Sequence, residues 1–79
     1  MAVKVEIAFS IILKKIRHES LLSQEQLALE SGLDRTYISL LERGMRQPSL
    51  KTIFLISSAL KIHPADLVRM VKEECHENN

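Results

Sequence analysis

Apolar side chains recur at helical spacing along most of the chain, and no segment shows the apolar–polar alternation that predicts a strand. Near the N-terminus the recurring positions are Phe9, Ile12, Leu13 and Ile16, which share one helix face. The pattern and its flanking stop signals predict five helices, over about Val5–Glu19, Gln24–Ser31, Arg35–Arg43 and Leu50–Lys61, and from Pro64 to about Glu74. The predicted fold class is therefore all-α.

Capping residues place two short helices next to each other. Ser23 and Gln26 form a capping-box pattern, and Gly32 follows where a left-handed residue ends a helix. Asp34 is expected to cap the third helix, and Gly44 to end it. Helices this short are unstable alone in water, so they must pack on each other and on further helices. A capped helix, a three-residue turn with glycine and a second short helix predict a helix-turn-helix over about residues 23–43.

The last two helices carry more apolar residues than one core face needs. Ser49, after Pro48, is expected to cap the fourth helix. The predicted core positions are Leu50, Ile53, Ile56 and Leu60 in the fourth helix, and Leu67, Met70 and Val71 in the fifth. This leaves Phe54, Leu55 and Val68 either as additional core or as a surface that another copy covers.

Length and composition favour one small helical domain over residues 1–79, ending in a polar tail at 75–79. A core this small supplies only a few kcal/mol of net stability, about 3–5 kcal/mol at most, which favours a dimer. Cys75 has no second cysteine to pair with, so a reducing, cytoplasmic location is expected. Lys14 follows the apolar run Ile11–Leu13 directly, and neither a signal peptide nor a membrane span is expected.

The net charge of +1 hides four unlike blocks. Residues 1–18 carry +3 (four basic, one acidic), 19–34 carry −4 (four acidic), 35–61 carry +4 (five basic, one acidic) and 62–79 carry −2 (two basic, four acidic). Such asymmetry indicates either an anionic partner on one face or a solvated surface with local clustering.

Enzymatic chemistry has little support in the sequence. There is no glycine-rich phosphate loop and no zinc-protease motif, and His18, His63 and His76 are scattered. Cys75 beside His76, in a tail without a second pair of ligands, does not make a metal site. We expect no catalytic residues, no metal and no cofactor.

The third helix has an exposed face suited to the major groove of DNA. When Ile38 and Leu41 face the core, the opposite side carries Thr36, Ser39, Leu40 and Arg43, with Arg35 beside it at the helix start. Arginine can bridge guanine N7 and O6, threonine can bond bases, and leucine can meet a thymine methyl. The alternative is an ordinary solvated helix face.

Residues 23–68, SQEQLALESGLDRTYISLLERGMRQPSLKTIFLISSALKIHPADLV, resemble the helix-turn-helix domain of the phage lambda repressor and Cro superfamily, the XRE family of bacteria. Within this stretch, LDRTYISLLERGMRQPSLKTI and the short length resemble controller proteins of type II restriction-modification systems. The resemblance implies a lambda-repressor-like five-helix domain that binds a palindromic operator in double-stranded DNA as a homodimer and regulates its own promoter. The alternatives are a phage-type repressor, an antitoxin, or a protein-binding adaptor that does not bind DNA.

The same resemblance implies roles for individual residues. The expected base-reading residues are Arg35, Thr36, Ser39, Leu40 and Arg46, although related repressors often have a polar or small residue at the position of Leu40. The expected phosphate-binding residues are Ser23, Gln24, Tyr37, Arg43 and Gln47. Tyr37 has the alternative of packing its ring against the second helix. Glu42 is expected to pair with a nearby arginine.

Two further surfaces are implied. In twofold dimers of this type the interface is expected at Phe54, Leu55 and Val68. In lambda-type activators, acidic residues of the second helix contact the sigma subunit of RNA polymerase, and Glu25 matches such a position, with Glu30 nearby. The alternative for Glu25 is a purely structural interaction with the helix dipole.

Overall fold

The computed structural model describes residues 4–76, which form five helices. They are α1 (Val5–Glu19), α2 (Gln24–Ser31), α3 (Arg35–Glu42), α4 (Leu50–Ala59) and α5 (Pro64–His76). The prediction of an all-α fold is confirmed. Within residues 4–76, none of the helices combines the length and hydrophobicity that crossing a membrane requires.

The helix starts agree with the predicted ones, whereas three of the ends differ. The helix α3 ends one residue early, at Glu42. The helix α4 ends at Ala59 because Lys61 adopts a left-handed φ of 57°. There the amide of Ile62 donates to the carbonyl of Ser57, which closes the helix end. The helix α5 continues to His76, so the predicted tail is helical at its first two residues, and residues 77–79 lie outside the described part.

The caps explain why the short helices begin where they do. The amide of Gln26 donates to Ser23 Oγ (3.0 Å), and the amide of Ser23 donates to Gln26 Oε1 (2.8 Å), which completes the predicted capping box. Gly32 has the expected left-handed φ of 74°. Ser49 Oγ accepts from the amide of Thr52 (3.1 Å) at the start of α4.

The predicted side-chain cap at Asp34 is wrong. Asp34 has the extended backbone of a capping residue, with φ −69° and ψ 140°, but its carboxylate makes no capping hydrogen bond. The side chain is exposed, so water competes for the carboxylate. What Asp34 contributes is negative charge near the positive end of the α3 dipole.

The core lies where α1 packs on α3 and α5, α2 on α3 and α4, and α4 on α5. The predicted apolar face of α1 is buried, since Phe9, Ile12, Leu13 and Ile16 are all at most 7% exposed. Across the whole core, the fully buried large apolar side chains are Leu13, Leu27, Ile38, Leu41, Ile56, Leu67 and, at 2% exposure, Phe9.

The predicted core face of α4 is partly wrong. Leu50 is 65% exposed, whereas Ile53, like Met70 in α5, is partly buried and packs against the core. The predicted Ile56 and Leu60 are buried, and the buried face of α4 also includes the polar residues Thr52 and Ser57. Ser57 Oγ donates to the carbonyl of Ile53 in the preceding turn, so this hydroxyl is buried without loss of its hydrogen bond. A polar residue can therefore face the core, which a purely apolar pattern does not reveal.

Candidate nucleic-acid interface

The helix α3 presents the face that the sequence predicts. Ile38 and Leu41 are fully buried, whereas Arg35 and Thr36 are exposed at the helix start. One turn later, Ser39 and Leu40 are partly exposed, and Arg43 is exposed at the helix end. The first turn of α3 therefore carries its most accessible polar side chains, and it follows directly after the helix-turn-helix bend.

A polar side-chain contact joins the start of α2 to the end of α3. Gln24 is partly buried, and its Nε2 donates to Glu42 Oε1 at 3.1 Å. Ser23 is exposed, but its oxygen already accepts the capping bond from the amide of Gln26. Of these two predicted phosphate-binding residues, Gln24 is thus fixed by α3 and Ser23 by its own helix.

A buried ion pair joins α1 to α3. Arg17 donates through Nε to Glu42 Oε2 and through Nη2 to Glu42 Oε1 (2.9 Å). Arg17 is 9% exposed and Glu42 is 3% exposed. A third donor, Arg17 Nη1, bonds the carbonyl of Leu22 (2.8 Å), the residue after the left-handed Leu21. The expected pairing of Glu42 with an arginine is confirmed, and Arg17 is its partner.

Tyr37 makes a contact that neither sequence-based alternative anticipated. Its hydroxyl lies 3.2 Å from Thr52 Oγ1 on α4, and Ser49 Oγ donates to the same Thr52 oxygen at 3.0 Å. The guanidinium carbon of Arg46 lies 5.5 Å from the centre of the tyrosine ring, within the range of a cation–π interaction. Tyr37 thus links α3 to α4 and holds the side chain of Arg46 beside α3.

The loop after α3 rests on α1. Gly44 has a left-handed φ of 72°, and a Cβ built there would lie 2.6 Å from Ile7 Cδ1. The loop side chains Arg43, Arg46 and Gln47 are exposed. Since glycine permits this close approach, the loop that carries these cations packs against Ile7 of α1. The sequence did not indicate this pairing because the two residues are distant along the chain.

Arginines in the described part of the chain fall into two groups. Arg17 and Arg69 form ion pairs with carboxylates, whereas no ion pair is found at Arg35, Arg43 or Arg46. These three arginines belong to α3 and the loop after it. Their charges are therefore not neutralised by carboxylates of the described residues, as a surface that meets phosphates requires.

The predicted dimer residues lie on an exposed apolar surface at α4 and α5. Phe54 is 54% exposed and Val68 is 47% exposed, whereas Leu55 is partly buried. A shallow depression in this surface is lined by Leu50, Phe54, His63, Pro64, Ala65 and Val68. Leu50, which the sequence pattern assigned to the core, thus belongs to this exposed surface.

The acidic residues of α2 lie on another surface. Glu25 and Glu30 are both exposed. Between them, Leu29 is 83% exposed, and it lines an open depression together with Glu25, Ala28 and Leu33. The structure thus places an uncovered leucine among the acidic side chains.

Comparisons with known proteins give the same family. A family model described as helix-turn-helix, HTH_3, matches residues 13–67. The control protein C.BamHI of Bacillus amyloliquefaciens is 45% identical over 69 residues, covering 86% of this chain and 85% of the relative. The crystal structure of a Y37F mutant of the restriction-modification controller protein C.Esp1396I superposes with a TM-score of 0.87 at 34% identity, covering 100% of both chains.

A second controller protein, C.AhdI from Aeromonas hydrophila, has a crystal structure that matches with a TM-score of 0.76 at 44% identity, covering 78% of this chain and 94% of that one. The relatives carry the names of control proteins and not of enzymes, which confirms the prediction of a regulator. The chain belongs to the helix-turn-helix family and, within it, to the controller proteins of restriction-modification systems.

Proposed function

We propose that the protein regulates its own promoter by binding a palindromic operator as a homodimer, with α3 in the major groove. The observation that carries this proposal is the exposed start of α3, where Arg35 and Thr36 project from a helix braced by α2 and by the buried Arg17–Glu42 pair. The relative C.Esp1396I has been crystallised as a tetramer in complex with its natural 35 base-pair operator, which supports operator binding here.

The proposed contacts divide into base and phosphate contacts. Arg35, Thr36, Ser39 and Leu40 would face base edges, with Arg35 bridging guanine N7 and O6. Arg46, whose guanidinium lies over the Tyr37 ring, would reach the same groove. Phosphates would be bound by Ser23, Gln24, Tyr37, Arg43 and Gln47. The Tyr37 hydroxyl bonds Thr52 on α4. On binding DNA it would either keep this bond while contacting a phosphate or exchange it for the phosphate.

Fluorescence anisotropy titrations test the proposal. The full chain is titrated against duplexes from its own promoter region and against a scrambled duplex of the same composition, at several salt concentrations. We expect tighter binding to one promoter duplex and a linear fall of log affinity with log salt. Equal affinity for both duplexes would mean non-specific binding and would contradict an operator, whereas no affinity for either would instead support a protein-binding adaptor.

We propose that the exposed apolar surface around Leu50, Phe54, Leu55 and Val68 is the homodimer interface. A small core gains stability from a partner, and one self-complementary patch is what a twofold dimer requires. Sedimentation at micromolar concentration should show a dimer for the parent and a monomer for Phe54→Glu. The matched control is Leu29→Glu, since Leu29 is also exposed and apolar but lies on α2. A monomeric parent would contradict the dimer.

We also propose that Glu25, with Glu30, contacts a basic surface of the RNA polymerase sigma subunit when the operator lies just upstream of a promoter. The exposure of both carboxylates on α2 supports this role. Glu25→Gln should lower promoter output while operator affinity holds or rises. Glu19→Gln removes an exposed acid at the end of α1 and serves as the control. Unchanged output from Glu25→Gln at full operator occupancy would defeat the idea.

A further inference from the structure

The carboxylate of Glu42 has three donors directed at it from two other elements. Arg17 supplies two of them from α1, and Gln24 Nε2 supplies the third from the first turn of α2. Glu42 itself is 3% exposed. Both oxygens of this carboxylate accept hydrogen bonds from Arg17, so the nitrogen of the Gln24 amide, and not its oxygen, faces it.

This arrangement determines how Gln24 can meet DNA. An amide nitrogen carries two hydrogens, and the bond to Glu42 uses one of them. The second remains as a donor at the start of α2, where backbone amides and the helix dipole favour a phosphate. Because Arg17 holds Glu42 in turn, the amide is oriented before any DNA arrives.

We infer that Glu42 is a positioning residue for DNA binding, which holds the Gln24 amide so that the phosphate contact of α2 is fixed relative to the base-reading face of α3. The inference rests on the proposed DNA-binding function. Glu42 acts through Gln24 and does not itself meet DNA, since it is buried. Without this anchor, the side chain of Gln24 would have to be ordered during binding, at a cost in affinity.

The variant that tests this role replaces the whole ion pair, Arg17→Met with Glu42→Leu. Replacing both charges avoids an unpaired buried charge, which is the change that most endangers the fold. The control, Arg69→Gln with Asp66→Asn, removes an exposed pair on α5 whose side chains are 59% and 53% exposed. Both double variants keep the net charge of the parent, so long-range attraction to DNA is unchanged.

Ethylation interference on the operator duplex is the decisive readout, because it reports each phosphate separately. Gln24→Ala should lose interference at one phosphate in each half-site. The Arg17→Met/Glu42→Leu variant should weaken interference at that same phosphate, keep the others, and bind about three- to tenfold more weakly, which is the cost of ordering one side chain. Adding Gln24→Ala to this variant should then lower affinity little further.

An interference pattern like that of the parent, or equal weakening at every phosphate, would overturn the role of Glu42. A parent protein without operator-specific binding would instead overturn the proposed function. Should the pair variant not fold, side-chain amide relaxation of the DNA-free parent decides: we expect the Gln24 NH₂ group to be ordered and that of the exposed Gln47 to be mobile. Equal mobility of the two amides would overturn the inference.

Discussion

Gly44→Ala is expected to destabilise the protein more than Gly32→Ala, because it adds a steric clash to the backbone strain that both variants share. Both glycines have left-handed backbones, with φ of 72° and 74°. A Cβ at Gly32 would meet no atom within 4 Å, whereas one at Gly44 would lie 2.6 Å from Ile7 Cδ1. Gly32→Ala therefore reports backbone strain alone, and Gly44→Ala reports strain plus a steric clash.

The magnitudes follow from these two terms. Left-handed backbone costs an alanine about 1–2 kcal/mol. Ile7 is 38% exposed and only the end of its side chain is hit, so it can rotate away at a rotamer cost of about 0.5–1.5 kcal/mol. Gly32→Ala should thus lower the melting temperature by about 4–8 °C per kcal/mol of strain, and Gly44→Ala by several degrees more.

Thermal unfolding followed by circular dichroism measures both losses, at one fixed protomer concentration because a dimer melts in a concentration-dependent way. Ile7→Val removes the Cδ1 atom and should restore the steric part in the Gly44→Ala background, while the backbone strain remains. Equal losses for the two glycine variants, together with no coupling between Gly44→Ala and Ile7→Val, would refute the proposed contact between this loop and α1.

Three further outcomes are expected. Leu21 is 89% exposed with a left-handed φ of 60°, so Leu21→Asn should raise stability by about 0.5–1 kcal/mol in thermal melts, and no rise would argue against strain there. Glu42→Ala should cost about 3–5 kcal/mol in urea unfolding, because Arg17 stays buried and unpaired, and should be worse than replacing the whole pair. Tyr37→Phe should cost about 0.5–1.5 kcal/mol through the lost bond to Thr52 while keeping the ring beneath Arg46, whereas a loss near zero would mean that this bond is not formed in solution.

Local signals in the sequence account for the helices and their starts. Ser23 and Gln26 form the predicted capping box, Gly32 has the predicted left-handed backbone, and Ser49 caps α4. Each signal depends on residues within three or four positions of one another. The contacts between such residues form within one helix turn, so they do not depend on how the helices pack. Two local predictions fail: the carboxylate of Asp34 does not cap α3, and the buried face of α4 includes Ser57, whose hydroxyl bonds its own helix.

Contacts between distant residues could not be predicted in the same way. Arg17 and Glu42 are 25 positions apart, and the sequence indicated only that Glu42 would find some arginine. The bond between Tyr37 and Thr52 and the approach of Gly44 to Ile7 depend on how whole helices pack. The exposed face of α3, by contrast, followed from helical periodicity once Ile38 was placed in the core.

Base reading by α3 is tested most directly by measuring operator affinity for Arg35→Ala against duplexes with each base pair replaced in turn. The matched control is Arg69→Ala, an exposed arginine on α5, which packs on α1 and α4. We expect Arg35→Ala to lose about 1–3 kcal/mol of binding free energy and its preference at one position in each half-site, while Arg69→Ala keeps both. An Arg35→Ala protein with the affinity and the base preferences of the parent would contradict the placement of α3 in the major groove.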